Sequence, residues 1–429
     1  MTLNHGTGTQ NRRRTCLSSY VCTILLIKHN PHIYRPSAAV CLTRLAISPL
    51  SRTEKSKHWR RVLHDAIYRW LIYTLPIPTL AGLFPSTEDV YTAWVKKHKL
   101  PVVIEDLPDS EDAKLFWIGD KAAKKVVLYM HGGGFSLGMP DASCDFWWYI
   151  IKQVKRDTGV DIGIAILRYG TWFPSVKSIS QSLMLNNLCI GLVPKQHFPT
   201  PLRQTIAGLS HLLAPSSGRS PGDIILSGDS AGGNMVLQLL LHTAKPMPSI
   251  PSQPSLAIPP SPLSNPEMEG KKLLGAYMMS PYLDLLARNP ACKSYVTNYD
   301  LDITSQVKLE DFGQRVMAGI PTSDPEVAKL LPYIDSQLAP AGFYSDLPST
   351  ISSILISAGG GEALLDDIIQ FGEILKSTTD GKAMETRVLV DDFGVHLDPM
   401  LDFFAGMPED KLGSVTKDIV KWFGERVTA

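Results

Sequence analysis

The sequence predicts an α/β fold, in which a mostly parallel central sheet carries helices on both faces. Three observations predict it. Past residue 100, short continuous apolar runs alternate with segments long enough for helices, as strands buried on both faces require. One run ends in Gly228-x-Ser230-x-Gly232 and passes directly into a helix-compatible segment. Another ends in three consecutive glycines, Gly132 to Gly134.

The elements follow in order. Val126–Met130 reads as a strand and leads into His131-Gly-Gly-Gly-Phe135. Ile162–Leu167, Ile224–Ser227, Gly275–Ser280, Ile354–Ser357 and Thr386–Val390 are the later strands. Val415, Ile419, Trp422 and Phe423 share one helical face, so the chain ends on an amphipathic helix. Phe146-Trp-Trp-Tyr149 is read as a buried helix face, with the lining of an acyl pocket as the alternative. Residues 246–266 hold eight prolines in 21 positions, which excludes helix and central strand and predicts a surface loop.

The N-terminal part differs in charge. Residues 1–61 carry eleven Lys/Arg and the single acid Glu54, leaving 31 basic against 40 acidic residues in the remainder. This predicts a disordered or targeting arm over 1–61, followed by one domain over 62–429. A cytoplasmic location is favoured, with an N-terminal targeting segment as the alternative. Ile67–Phe84 is the nearest approach to a membrane span, but it contains Arg69, Pro76 and Pro78. It reads as a short lid, or as a contact with a membrane surface.

Composition bounds the function. Apolar residues make up 44% and charged residues 19%, as in a globular protein. The net charge of +1 gives no electrostatic footprint for nucleic acid. The six cysteines have neither CxxC nor zinc-ligand spacing, so the sequence points to no metal site and no disulfide framework.

The chemistry lies in two glycine-bounded motifs. A serine on a sharp strand-to-helix turn is exposed at the sheet edge, with the next helix's positive end aimed at it. Ser230 has this setting, between Asp229 and Ala231. The glycines after His131 bring bare amides to a surface, as an oxyanion hole requires. His131 itself braces that loop. A serine nucleophile needs a base, and the base an orienting acid; where the serine sits on such a strand-to-helix elbow, the chain order is Ser, acid, His. Only His242 and His396 follow Ser230, and His242 lies one helix away on the wrong side of the sheet. His396 is therefore the base. The loop after Ile354–Ser357 offers Glu362 first, with Asp366 as the second choice.

With HGGGF at 131–135, GDSAGG at 228–233, Glu362-x-x-x-Asp366 and His396, the sequence resembles the hormone-sensitive-lipase-type α/β-hydrolases over roughly 60–429. Its cast is similar to that of fungal members, many in secondary-metabolite (mycotoxin) pathways. The resemblance implies Ser230 as nucleophile, Glu362 as acid and His396 as base. It implies an oxyanion hole from the amides of Gly133, Gly134 and Ala231, with His131, Gly132 and Asp229 in support. It also implies a helical cap over about 62–100 and 285–345, and neither a cofactor nor a metal. One departure stands out: residues 170–191 follow Tyr169 where the family has a single residue before its Leu-x-Pro turn. This segment is read as a retained intron or gene-model error, which a mature transcript keeping these codons would disprove.

The expected function is serine hydrolysis of an ester, thioester or lactone of a mainly apolar small molecule. The alternatives are acyl transfer on the same triad and a non-catalytic small-molecule receptor, which His396 argues against. The sequence leaves the oligomeric state open.

Overall fold

The structure, a computed structural model, describes residues 31–51, 53–170, 197–379, 381 and 384–429. Most of the 170–191 segment lies outside the described residues.

Among the described residues, eight strands form one sheet in the order β1-β2-β4-β3-β5-β6-β7-β8. They are β1 (Ile104–Asp106), β2 (Lys114–Gly119), β3 (Lys125–Met130), β4 (Ile162–Arg168), β5 (Ile224–Asp229), β6 (Gly275–Met279), β7 (Ser353–Gly359) and β8 (Glu385–Asp391). From β4 to β8 every pairing is parallel, while β1 and β2 join antiparallel at one edge. The six predicted strands are all present, each displaced by at most two residues at an end. Their continuous apolar runs follow from burial on both sides: β5 and β6 have no residue that is not buried.

Among the described residues, the helices of seven residues or more are α1 (Pro31–Ile47), α2 (Trp59–Thr74), α3 (Ile77–Leu83), α4 (Thr87–Lys97), α5 (Asp141–Thr158), α6 (Thr200–Leu212), α7 (Ala231–Ala244), α8 (Gln306–Met317), α9 (Leu365–Thr379), α10 (Asp398–Phe404) and α11 (Ser414–Val427). Helices α4, α5 and α11 cover one face of the sheet, where Trp147, Tyr129 and Phe423 pack together. Helices α6, α7 and α9 cover the other. Phe146 and Trp147 belong to the first of these cores, so the run 146–149 is a buried helix face and not a pocket wall. The proline-rich stretch forms isolated 3-10 turns, pinned by His242, whose Nε2 lies 2.9 Å from the Pro259 carbonyl.

Two boundaries move. The arm was expected to end at residue 61, yet α1 packs on α2, and Arg61 is buried. Its guanidinium bonds Asp398 at 2.7 Å and Asp402 at 2.5 Å, which fixes the start of α2 to α10. A charge so completely ion-paired belongs to the folded domain. The cap was expected to run to residue 100, but α4 lies in the body. Its Tyr91 stacks on Phe116 of β2 at 4.9 Å and Trp94 is buried. Among the described residues, no helix is long and apolar enough to cross a membrane.

Candidate active site

Strands β3, β5, β7 and β8 end in register at one edge of the sheet, with Met130 opposite Gly228 and Gly359 opposite Asp391. The loops that leave these ends carry every candidate residue, as expected at the carboxyl edge of a parallel sheet.

Ser230 sits between β5 and α7 with φ 51° and ψ −117°, a strained conformation for a residue with a side chain. Its amide donates to the Met279 carbonyl at 2.9 Å, which locks the turn to β6. The flanking glycines are required by contact. A Cβ on Gly232 would lie 1.9 Å from the Met130 oxygen, and one on Gly228 would lie 2.3 Å from the Gly232 carbonyl carbon.

The loop after β3 turns back over Ser230. Gly133 and Gly134 both have positive φ, at 102° and 58°. Their amides, with that of Ala231, make no hydrogen bond to another described residue. Asp229 fixes this loop from below: its Oδ1 accepts from the Gly132 amide at 3.0 Å and from the Tyr129 hydroxyl at 2.5 Å. Burial pushes the Asp229 carboxyl up to about 6, although these two bonds and His396 oppose the rise. His131 is buried, with Nδ1 2.8 Å from the Gly132 carbonyl and Nε2 3.0 Å from the Thr87 hydroxyl. Burial lowers its pKa to about 4, so it is a neutral brace.

His396 Nε2 lies 3.1 Å from Ser230 Oγ. On the far side of the ring, Nδ1 lies 3.5 Å from a carboxylate oxygen of Glu362, which is fully buried. That separation exceeds a formed N–H···O bond, a looseness common before substrate binds. Burial by itself would lower the His396 pKa. The carboxylates of Glu362, Asp302 and Asp229 outweigh it and raise the imidazole above its ordinary value. Asp366 faces away, accepting from the Ser294 amide at 2.8 Å. His242 is likewise spent on the proline-rich loop.

The serine opens into a cavity with apolar walls. Tyr68, Ile72 and Phe84 line it from the segment predicted as a lid, and Ile303, Leu309 and Phe312 from the second cap segment. Phe312 lies directly on this glycine loop, since a Cβ on Gly134 would meet its ring at 2.4 Å. Sequence reasoning missed Tyr129, Thr87 and Asp302. Tyr129 looks like any other strand residue, and its role appears only once a buried hydroxyl needs a partner. No group of acidic, His or Cys residues among the described residues has the arrangement to hold a metal ion.

Residues 191–393 match a family profile described as "alpha/beta hydrolase fold". The fold is that of the α/β-hydrolases. Bovine arylacetamide deacetylase is 30% identical over 129 residues, which cover 28% of this chain. The chain spans about a quarter of that relative's length, 26%. Among solved structures, an esterase from the bacterial hormone-sensitive lipase family superposes with TM-score 0.53 at 19% identity, covering 87% of this chain and 99% of that one. An esterase/lipase from an uncultured bacterium gives 0.51 at 19% identity, over 87% and 100% of the two chains. A hormone-sensitive lipase from a metagenome library gives 0.51 at 18% identity, over 85% and 97%. The family match begins at residue 191, where the intervening segment ends.

Proposed function

We propose that this chain is a serine hydrolase that cleaves an ester, thioester or lactone of a mainly apolar small molecule through an acyl-enzyme. The observation that carries the reading is His396 Nε2 at 3.1 Å from Ser230 Oγ, at the base of an apolar cavity beside three amides that have no hydrogen-bond partner among the described residues. A receptor of this fold has no need of that base. The esterases among the solved relatives and the deacetylase relative support the same reading.

Ser230 Oγ attacks the carbonyl carbon while its proton passes to His396 Nε2. The carbonyl oxygen becomes an oxyanion and accepts from Gly133, Gly134 and Ala231, each donor contributing about 10²–10³ in rate. Glu362 stabilises the imidazolium through Nδ1. Collapse breaks the bond to the alcohol or thiol, which takes the proton back from His396 and leaves the acyl group on Ser230. Water then repeats the sequence, with His396 accepting its proton, and releases the acid. Walls supplied by Tyr68, Ile72, Phe84, Leu309 and Phe312 suit a substrate with few polar groups. The setting implied by the fungal resemblance, secondary metabolism, is part of the proposal.

A panel of p-nitrophenyl esters of increasing chain length tests it. Turnover by wild type and none by Ser230→Ala is expected. Equal rates from both proteins would reject the reading.

A further inference from the structure

The second cap segment does more than close the cavity. Asp302 lies in it, between the helical turn Ser294–Thr297 and α8, and is fully buried. Its Oδ1 accepts from the amide of His396 at 2.8 Å and from that of Ile303 at 2.7 Å. Its Oδ2 accepts from the amide of Ala363 at 2.8 Å. Asn298, one turn earlier, donates its side-chain amide to the carbonyls of Glu362 at 2.9 Å and Gly360 at 3.2 Å. The Asp302 amide closes the pair by donating to the Asn298 carbonyl at 3.0 Å. The peptide unit between Glu362 and Ala363 is therefore held at both ends, its oxygen by Asn298 and its N–H by Asp302. The same Asp302 carboxylate holds the backbone of the base.

We propose that Asp302 is a positioning residue, through which the cap segment sets the aim of Glu362 at His396. The proposal rests on the ester-hydrolase reading above. The Glu362 carboxylate itself has no hydrogen-bond partner among the described residues, so its main chain must fix its direction. Three N–H donors converge on Asp302, and a carboxylate accepts them all. An amide would turn its own donor toward one of them. Asp302 also places a second carboxylate beside His396, whose ionisable neighbours are Glu362, Asp302 and Asp229. The groups facing Asp302 are His396 and Glu362, with Tyr73 of α2 close by. Burial pushes its carboxyl up to about 6, and His396 opposes the rise.

The test combines a titration with kinetics on the full chain. The ring of His396 is followed by NMR against pH in histidine-labelled wild type and Asp302→Asn, with His396→Gln assigning the signal. The expected result is a lower midpoint in Asp302→Asn, because an anion beside the imidazolium is gone. An unchanged midpoint overturns the proposal, and this arm needs no turnover. On p-nitrophenyl esters, kcat of Asp302→Asn should fall about 10–100-fold with KM within about twofold, the signature of a misaimed triad. A proportional rise in KM with kcat unchanged would contradict it. If Asp302→Asn does not fold, Asn298→Ala decides: reduced kcat at unchanged KM supports the clamp, and wild-type kcat overturns it. Wild type without turnover would reject the hydrolase reading, and the titration would still judge Asp302.

Discussion

Arg61→Met removes one charge from a buried cluster while keeping the side chain's apolar length. Arg61 is 3% exposed and bonds Asp65, Asp398 and Asp402, with Lys57 the other cation in the cluster. Asp398 is the anchor. Burial alone would raise its carboxyl, but Arg61 and Lys57 outweigh burial and hold it at about 2. Asp402 makes the shorter contact, yet its carboxyl stays raised because burial and Asp398 outweigh Arg61. Removing the guanidinium leaves three buried carboxylates around one lysine. Breaking a buried pair in this way costs about 3–5 kcal/mol. Unfolding entropy of about 2.1 cal/mol/K per residue gives about 0.9 kcal/mol/K for 429 residues, so Tm should fall by about 3–6 °C. The effect reaches the site. Asp398 Oδ1 accepts from the Val395 amide at 3.0 Å, which closes the turn that carries His396. We expect kcat to fall about tenfold as this turn loosens. The pH dependence has a definite sign. A carboxyl depressed to about 2 contributes stability that is present above its ordinary value of 3.8 and lost as pH falls toward 2. In Arg61→Met that carboxyl is no longer held down, so this acid loss should shrink, and the Tm deficit against wild type should narrow as pH falls below about 4. Scanning calorimetry between pH 3 and 8 reads both effects. A Tm at neutral pH within about 1 °C of wild type, or a Tm deficit that does not narrow toward pH 3, would refute the reasoning.

Glu362→Gln should lower kcat by about 10³–10⁴-fold with the fold intact, and Asp366→Asn far less; steady-state kinetics with circular dichroism decides, and the reverse ranking would reassign the acid. Because His396 is raised above 6.5 and must be neutral to act as base, kcat/KM should fall with decreasing pH through an apparent pKa above that value. A limb below the ordinary histidine range would contradict this. Phe312→Ala should shift the ratio of kcat/KM for long against short acyl esters by about tenfold or more toward the longer ones, as measured across the ester panel. Gly134→Ala should abolish turnover without unfolding, since the new Cβ meets Phe312 and the residue has φ 58°.

How much of this was legible in the sequence depends on how local the determinant is. The parallel strands were legible because burial on both faces writes itself as a continuous apolar run, as in Ile224-Ile-Leu. The elbow and the glycine loop were legible because steric demands confine them to a few adjacent residues. His396 and Glu362 followed from chain order once those were placed. The edge strands β1 and β2 were not read. The run Leu115–Ile118 is only four residues long, and antiparallel edge pairing has no signal of its own there. Helix α4 was assigned to the cap because its inward Tyr91 and Trp94 declare their partners only in the fold. Arg61 looked like part of a basic arm, since its three acids lie as far as 341 residues away. Asp302 was invisible for the same reason, its contacts reaching 61 and 94 residues along the chain.

The central claim, an activated serine in a preorganised site, is tested most directly by labelling with a fluorophosphonate probe. Such a probe reacts only with a serine whose proton has an acceptor and whose oxyanion has donors. Wild type should be labelled at Ser230, Ser230→Ala not at all, and His396→Ala almost not, with all three proteins folded by circular dichroism. A folded wild type that stays unlabelled, both as it stands and with residues 170–191 excised, would contradict the account.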